Sequence, residues 1–107
     1  MTTPPQQPSR SFQVRKYRRI KLISSYLMKS FKNEDEEELH RIATAVFEAS
    51  MSLMDRFFFK EPYVDIWIVN GTPPDAPIQD IRRVEAELRH AGLSRAKAKR
   101  ICNRGIR

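Results

Sequence analysis

The side chains in this 107-residue chain that could do chemistry are few and scattered. The histidines are His40 and His90, and the only thiol is Cys102. Each histidine falls in an expected helix with no second proton-transfer group beside it, so neither forms a general-base pair. A lone cysteine and two separated histidines do not make a zinc site, which takes its ligands in closely spaced pairs. Gly71, Gly92 and Gly105 lie too far apart for the phosphate loop G-x-x-x-x-G-K. The acidic run Glu34-Asp35-Glu36-Glu37-Glu38 has no glycine turn, so it matches neither a metal loop nor a paired-carboxylate site. These residues argue for binding and against an enzyme, a metal or a cofactor. A single cysteine also excludes an internal disulfide and fits a reducing compartment.

Charge is the stronger signal. The net value of +7 hides three blocks: +8 over residues 1–33, −8 over 34–81 and +7 over 82–107. Alternating blocks favour self-association, contact with an acidic partner, or both. No apolar run approaches the roughly 20 residues of a membrane span, and the polar, proline-rich start does not read as a signal peptide.

The elements that would carry this charge are mainly helical. Residues 1–11 hold Pro4, Pro5 and Pro8 without apolar periodicity and are expected to be a disordered tail. Over 13–31, Val14, Tyr17, Ile20, Ile23, Leu27 and Phe31 step by three or four and make one helical face. Arg15, Lys16, Arg18, Arg19 and Lys21 cover much of the rest, so the helix could pack its stripe on a neighbour, touch phosphates or, with Leu22, Tyr26 and Met28 widening the apolar side, lie on an anionic membrane. Asn33 is a candidate N-cap for a second helix over 34–59, and the acids behind it complement the helix dipole.

That helix ends in more apolar side chains than one face can hold. Phe47, Leu53, Met54, Phe57 and Phe58 are therefore expected, with Trp67, to form a homo-oligomer interface. The alternative is that the following segment folds back over the aromatics. Glu61-Pro62 is expected to stop the helix. Tyr63 to Val69 is rich in β-branched and aromatic residues and reads as a short extended segment, 63–69. It has no second strand to pair with, so it would pair with another copy, join a partner's sheet or strap across the helices. Residues 12–69 would then form an oligomerisation domain. Residues 70–77, with Pro73, Pro74 and Pro77, would form a stiff linker.

Residues 78–107 are expected to be a basic docking module: a helix over 78–91, a turn, and a helix over 94–104. Gly92 suits the position after a helix end, and Ser94 can cap the next helix. Leu93 and Ala98 are spaced for a hydrophobic staple. Arg89, Arg95, Lys97, Lys99, Arg100 and Arg104 would meet the partner, and the whole is an all-α class.

Two resemblances give this module a meaning. The pair resembles a DNA-binding helix-turn-helix, with Gly92, Leu93, Ala98 and Ile101 at its turn and core positions. Leu88 stands where a small residue is usual and Glu87 where an apolar one is expected, and only Asn103 offers an amide to base edges. Contact would then be mostly with phosphate. The segment Leu88-Arg89-His90-Ala91-Gly92-Leu93-Ser94-Arg95-Ala96-Lys97-Ala98-Lys99 also resembles L-R-x-A-G-(F/L)-S-R-x-x-A-K, found near the end of prohead proteases and scaffold-like regions of tailed-bacteriophage head-assembly proteins. That resemblance spans about residues 81–105 and matches Leu88, Arg89, Ala91, Gly92, Leu93, Ser94, Arg95, Ala98 and Lys99, with Gly105 near the closing glycine. It implies a scaffold-like protein in the host cytoplasm whose helical module docks on capsid protein. The protease portion of such proteins has no counterpart here.

Overall fold

A computed structural model describes residues 10–107, with backbone alone at 10–13 and at 15. Over that range the chain forms five α-helices and no strand, so the all-α class stands. They are α1 (Arg10–Ser30), α2 (Glu36–Arg56), α3 (Glu61–Asn70), α4 (Ile78–His90) and α5 (Arg95–Arg104). The expected tail over 1–11 falls partly on residues 1–9, outside the described residues. Arg10 and Ser11 already belong to α1.

The buried row of α1 is Arg19, Ile23 and Leu27, continued by Phe31 just past its end, at strict four-residue spacing. The expected stripe shares only its second half with that row. Val14, Tyr17 and Ile20 are 43%, 66% and 40% exposed, because that row leaves the core toward the N-terminus. Arg19 takes their place. Its guanidinium pairs with Asp65 and lies 3.3 Å from Glu61, and Nη2 is 3.4 Å from the sulfur of Met54. Burial pushes the Asp65 carboxyl above its ordinary range, and the Arg19 charge pulls it back only in part.

Asp35, not Asn33, caps α2: its side chain accepts from the Glu38 N–H at 2.7 Å. The inner face of α2 is Ile42, Ala45, Val46, Ala49 and Leu53, a helical stripe that α1 and α4 cover. The helix stops at Arg56 rather than 59 because Phe58 turns into the left-handed region at φ 57. Phe57 and Phe59 both direct their N–H to the Leu53 carbonyl, so the chain reverses there.

The extended segment expected over 63–69 is instead α3. Pro62 sits in its first turn, where a missing N–H costs nothing because no intrahelical acceptor awaits it. The apolar residues satisfy a helical period as well as an alternating one: Val64, Trp67 and Ile68 are buried at i, i+3 and i+4, and Ile66 is exposed. A lone strand would leave its backbone unpaired, whereas a helix satisfies it internally, so burial on α2 and α5 overrides β-propensity.

Residues 71–77 do not hold the terminal pair apart. The ends of α3 and α5 cap each other. Ile106 N–H donates to the Ile68 carbonyl at 2.8 Å, and Arg107 N–H to Val69 at 3.1 Å. In return the Cys102 carbonyl accepts from Trp67 Nε1 at 2.9 Å and from Thr72 Oγ1 at 2.8 Å. Gly71 and Gly105 make this approach feasible, with φ 88 and 75. A Cβ at either would fall on backbone of the opposite segment, at Asn103 or Val69. One core therefore runs from Ile23 through Leu53, Trp67 and Leu88 to Ile106. The linker and separable-module expectations give way to a single packed unit, because α4 covers α2 and α5 covers α3.

Candidate docking surface on the terminal helix pair

The turn between α4 and α5 is built by main-chain and cap bonds that its residue types allow. Gly92 takes φ 115, its N–H reaches the Arg89 carbonyl at 3.0 Å, and Leu93 N–H reaches Leu88 at 3.2 Å. This is the Schellman closure of a helix. Ser94 Oγ then accepts from the Lys97 N–H at 3.3 Å, starting α5. Leu93 and Ala98 are both buried, as a staple requires.

Glu87 explains how a charged residue occupies the inner face of α4. It is 6% exposed, and its carboxylate accepts from Ser52 Oγ at 2.8 Å and from Arg56 Nη1 at 3.0 Å. The pair is thereby fastened to α2. On the inner face of α5, Ile101 and Cys102 are buried, and burial raises the Cys102 thiol above its ordinary range.

The turn carries a groove of about 480 Å3 lined by Ala86, Arg89, His90, Leu93 and Arg95. Arg89 and Arg95 line it, and Lys99, Arg100 and Arg104 are exposed on α5. Among the described residues, Arg89, Arg95, Lys99 and Arg104 make no ion pair. Lys97 does not belong with them. Its ammonium pairs with Glu38 and lies 3.6 Å from Glu34, so part of the acidic run is spent inside the molecule. That hydrogen bond to Glu38 raises the Lys97 pKa despite some desolvation. Arg100 stands over Phe31, the residue just past the end of α1, its guanidinium carbon 4.2 Å from the ring centre.

The residues expected at an oligomer interface separate into three groups. Leu53 and Trp67, each 1% exposed, belong to the core of one molecule. Phe47, Met54 and Phe57 are half-buried against it. Only Phe58, 87% exposed, is fully offered to solvent. The crowding at the end of α2 is resolved by α3 folding back: Phe57, Phe59, Tyr63 and Trp67 form a ladder of rings with centres 6.2, 5.6 and 5.5 Å apart.

Sequence reasoning missed Arg19 and Glu87 as structural anchors. The signal for Glu87 was present, as a charge on an apolar stripe. For Arg19 it was the four-residue spacing to Ile23, Leu27 and Phe31. Among the described residues, no group of three or more histidine, cysteine, aspartate or glutamate side chains could hold a metal ion, and no helix is long and apolar enough to cross a membrane. No protein family, curated protein or solved structure matches the chain.

Proposed function

We propose that this chain is a non-enzymatic binding protein, a scaffold-like head-assembly factor of a phage or mobile element. It docks on capsid protein, or on another acidic protein partner, through the basic α4–α5 pair. The observation that carries this reading is a set of cations with no ion pair among the described residues, Arg89 and Arg95 beside a hydrogen-bonded turn and Lys99 and Arg104 along α5. Rigid placement lowers the ordering cost of binding, and exposed charge gives fast, reversible docking of the kind assembly requires. The head-assembly assignment itself rests on the segment from Leu88 to Lys99.

Charge reversal is the test, because deleting 78–107 would remove seven of the eighteen residues of the buried core. Arg95→Glu, Lys99→Glu and Arg104→Glu together should release the protein from shells of the capsid protein encoded by the same element, with its thermal transition unchanged. Undiminished co-sedimentation of the variant, or none by the wild type, overturns docking through this face. Light scattering of the chain alone tests self-association.

DNA binding by the same pair is the second reading. It is favoured by the exposure of Arg95, Lys99, Arg100 and Arg104 on a helix that follows a tight turn.

A further inference from the structure

A second basic site lies away from the α4–α5 turn, where residues far apart in sequence meet. A cleft of about 410 Å3 at the end of α1 is lined by Lys29, Ser30, Phe31, Lys32, Asn33, Glu34 and Arg100. Three of these are cations and one is an acid. The acid is already engaged, since Glu34 Oε1 lies 3.6 Å from Lys97. Lys29, Lys32 and Arg100 make no ion pair among the described residues. The carbonyl end of α1 contributes about half a negative charge, which two lysines outweigh.

Arg100 is the fixed member of the set. Phe31 is buried, and its face holds the guanidinium in place at 4.2 Å. The guanidinium makes no ion pair among the described residues, and its planar fork of donors is the geometry that grips two oxygens of a phosphate. Lys29 and Lys32 are flexible point charges beside it, and Ser30 and Asn33 add neutral donors. Phe31 is covered, so no base can stack on it, and recognition would be of backbone alone. Three converging cations exceed what a single carboxylate neutralises, but they match a polyphosphate chain with closely spaced charges.

We propose that this cleft binds the phosphodiester backbone of nucleic acid, with Arg100 as the oriented contact and Lys29 and Lys32 as its electrostatic flank. The inference shares its ligand class and Arg100 with the second reading above, but its flank is distinct, since Lys29 and Lys32 lie outside the α4–α5 pair.

The test is titration of a fluorescein-labelled 20-base-pair duplex against the full chain over a range of salt concentrations, starting near 50 mM. Lys29→Ala/Lys32→Ala should weaken binding at least tenfold and flatten the slope of log K against log salt by about two, one unit for each lost phosphate contact. Arg100→Lys should keep the slope but lose affinity, because a lysine keeps the charge and lacks the fork. Both lysines are exposed, so folding is checked by an unchanged thermal transition. Binding that survives the double lysine variant and fails only with Arg95→Ala/Arg104→Ala overturns this site while leaving DNA binding through the helix pair. No duplex binding by the wild type overturns both. Competition by poly-glutamate as effective as by duplex, or saturation by inorganic phosphate alone, removes the nucleic-acid assignment.

Discussion

Trp67 Nε1 donates to the carbonyl oxygen of Cys102 at 2.9 Å, tying α3 to α5 inside the core. Trp67→Phe keeps most of the ring and loses the bond. Thr72 still serves the same carbonyl, so the loss should be about 1 kcal/mol. Trp67→Ala also opens a cavity and should cost about 3–5 kcal/mol. Urea unfolding followed by circular dichroism reads both. A Trp67→Ala variant as stable as wild type would contradict the buried placement.

The three glycines should respond unequally to alanine. Gly71→Ala and Gly105→Ala drive a methyl into backbone of the facing segment at positive φ, and should prevent folding or cost well over about 1 kcal/mol. Gly92→Ala meets nothing within 4 Å, so only the strain of a left-handed alanine remains, about 1–2 kcal/mol. Differential scanning calorimetry should rank Gly92→Ala as the mildest.

Arg19 is the more buried member of its ion pairs, with a side chain 4% exposed against 32% for Asp65 and 43% for Glu61. Arg19→Met leaves two acids that water can still reach and should cost under about 2 kcal/mol. Asp65→Asn alone should be mild, because Glu61 still faces the guanidinium. Glu61→Gln/Asp65→Asn strands a buried cation and should cost about 3 kcal/mol. Chemical denaturation gives the order, and a double variant milder than Arg19→Met would refute the asymmetry.

The alkaline limb of stability should follow Cys102, Lys97 and Tyr63. Burial raises the Cys102 thiol, the bond to Glu38 raises Lys97, and desolvation followed by the charge of Asp80 raises Tyr63. A pKa higher in the folded state means that the folded chain holds its proton longer. The contribution is complete below the unfolded pKa and is lost as pH rises through the folded one. Thermal midpoints should therefore decline as pH rises above about 9, starting with the thiol, whose unfolded value is the lowest of the three. Cys102→Ala should soften the first part of that decline. Alkylation of Cys102 by iodoacetamide should track global unfolding, since the thiol is buried.

Lys97 and Arg95 should behave differently although both lie in the first turn of α5. Lys97 is paired with Glu34 and Glu38, whereas Arg95 lines the turn groove with no ion pair among the described residues. Lys97→Ala should leave partner binding within about twofold and lower the thermal midpoint slightly. A part-exposed pair is worth no more than about 1 kcal/mol. Arg95→Ala should weaken binding and leave the midpoint in place. Reversal of these two phenotypes would show that the docking cations have been misassigned.

Local chemistry made much of the terminal pair legible. Gly92, Ser94, Leu93 and Ala98 are defined by bonds within a few residues, so the turn and both helix boundaries follow from residue type and spacing. The helical identity of α1 and α2 follows in the same way, from apolar periodicity. The segment Tyr63 to Val69 was ambiguous because its apolar residues fit periods of two and of 3.6 alike. Nothing local says which surface will cover it.

The amino-acid order by itself determined a mainly helical chain outside residues 63–69, its charge blocks and its capped basic turn, because those depend on neighbours a few residues away. Only the tertiary structure decided that Trp67 and Leu53 lie inside one molecule. It alone placed Lys97 against Glu34 and Glu38, and Arg100 against Phe31 beside Lys29 and Lys32. Those pairings join residues dozens of positions apart, and they come into being only when burial of the shared core sets how the helices face each other.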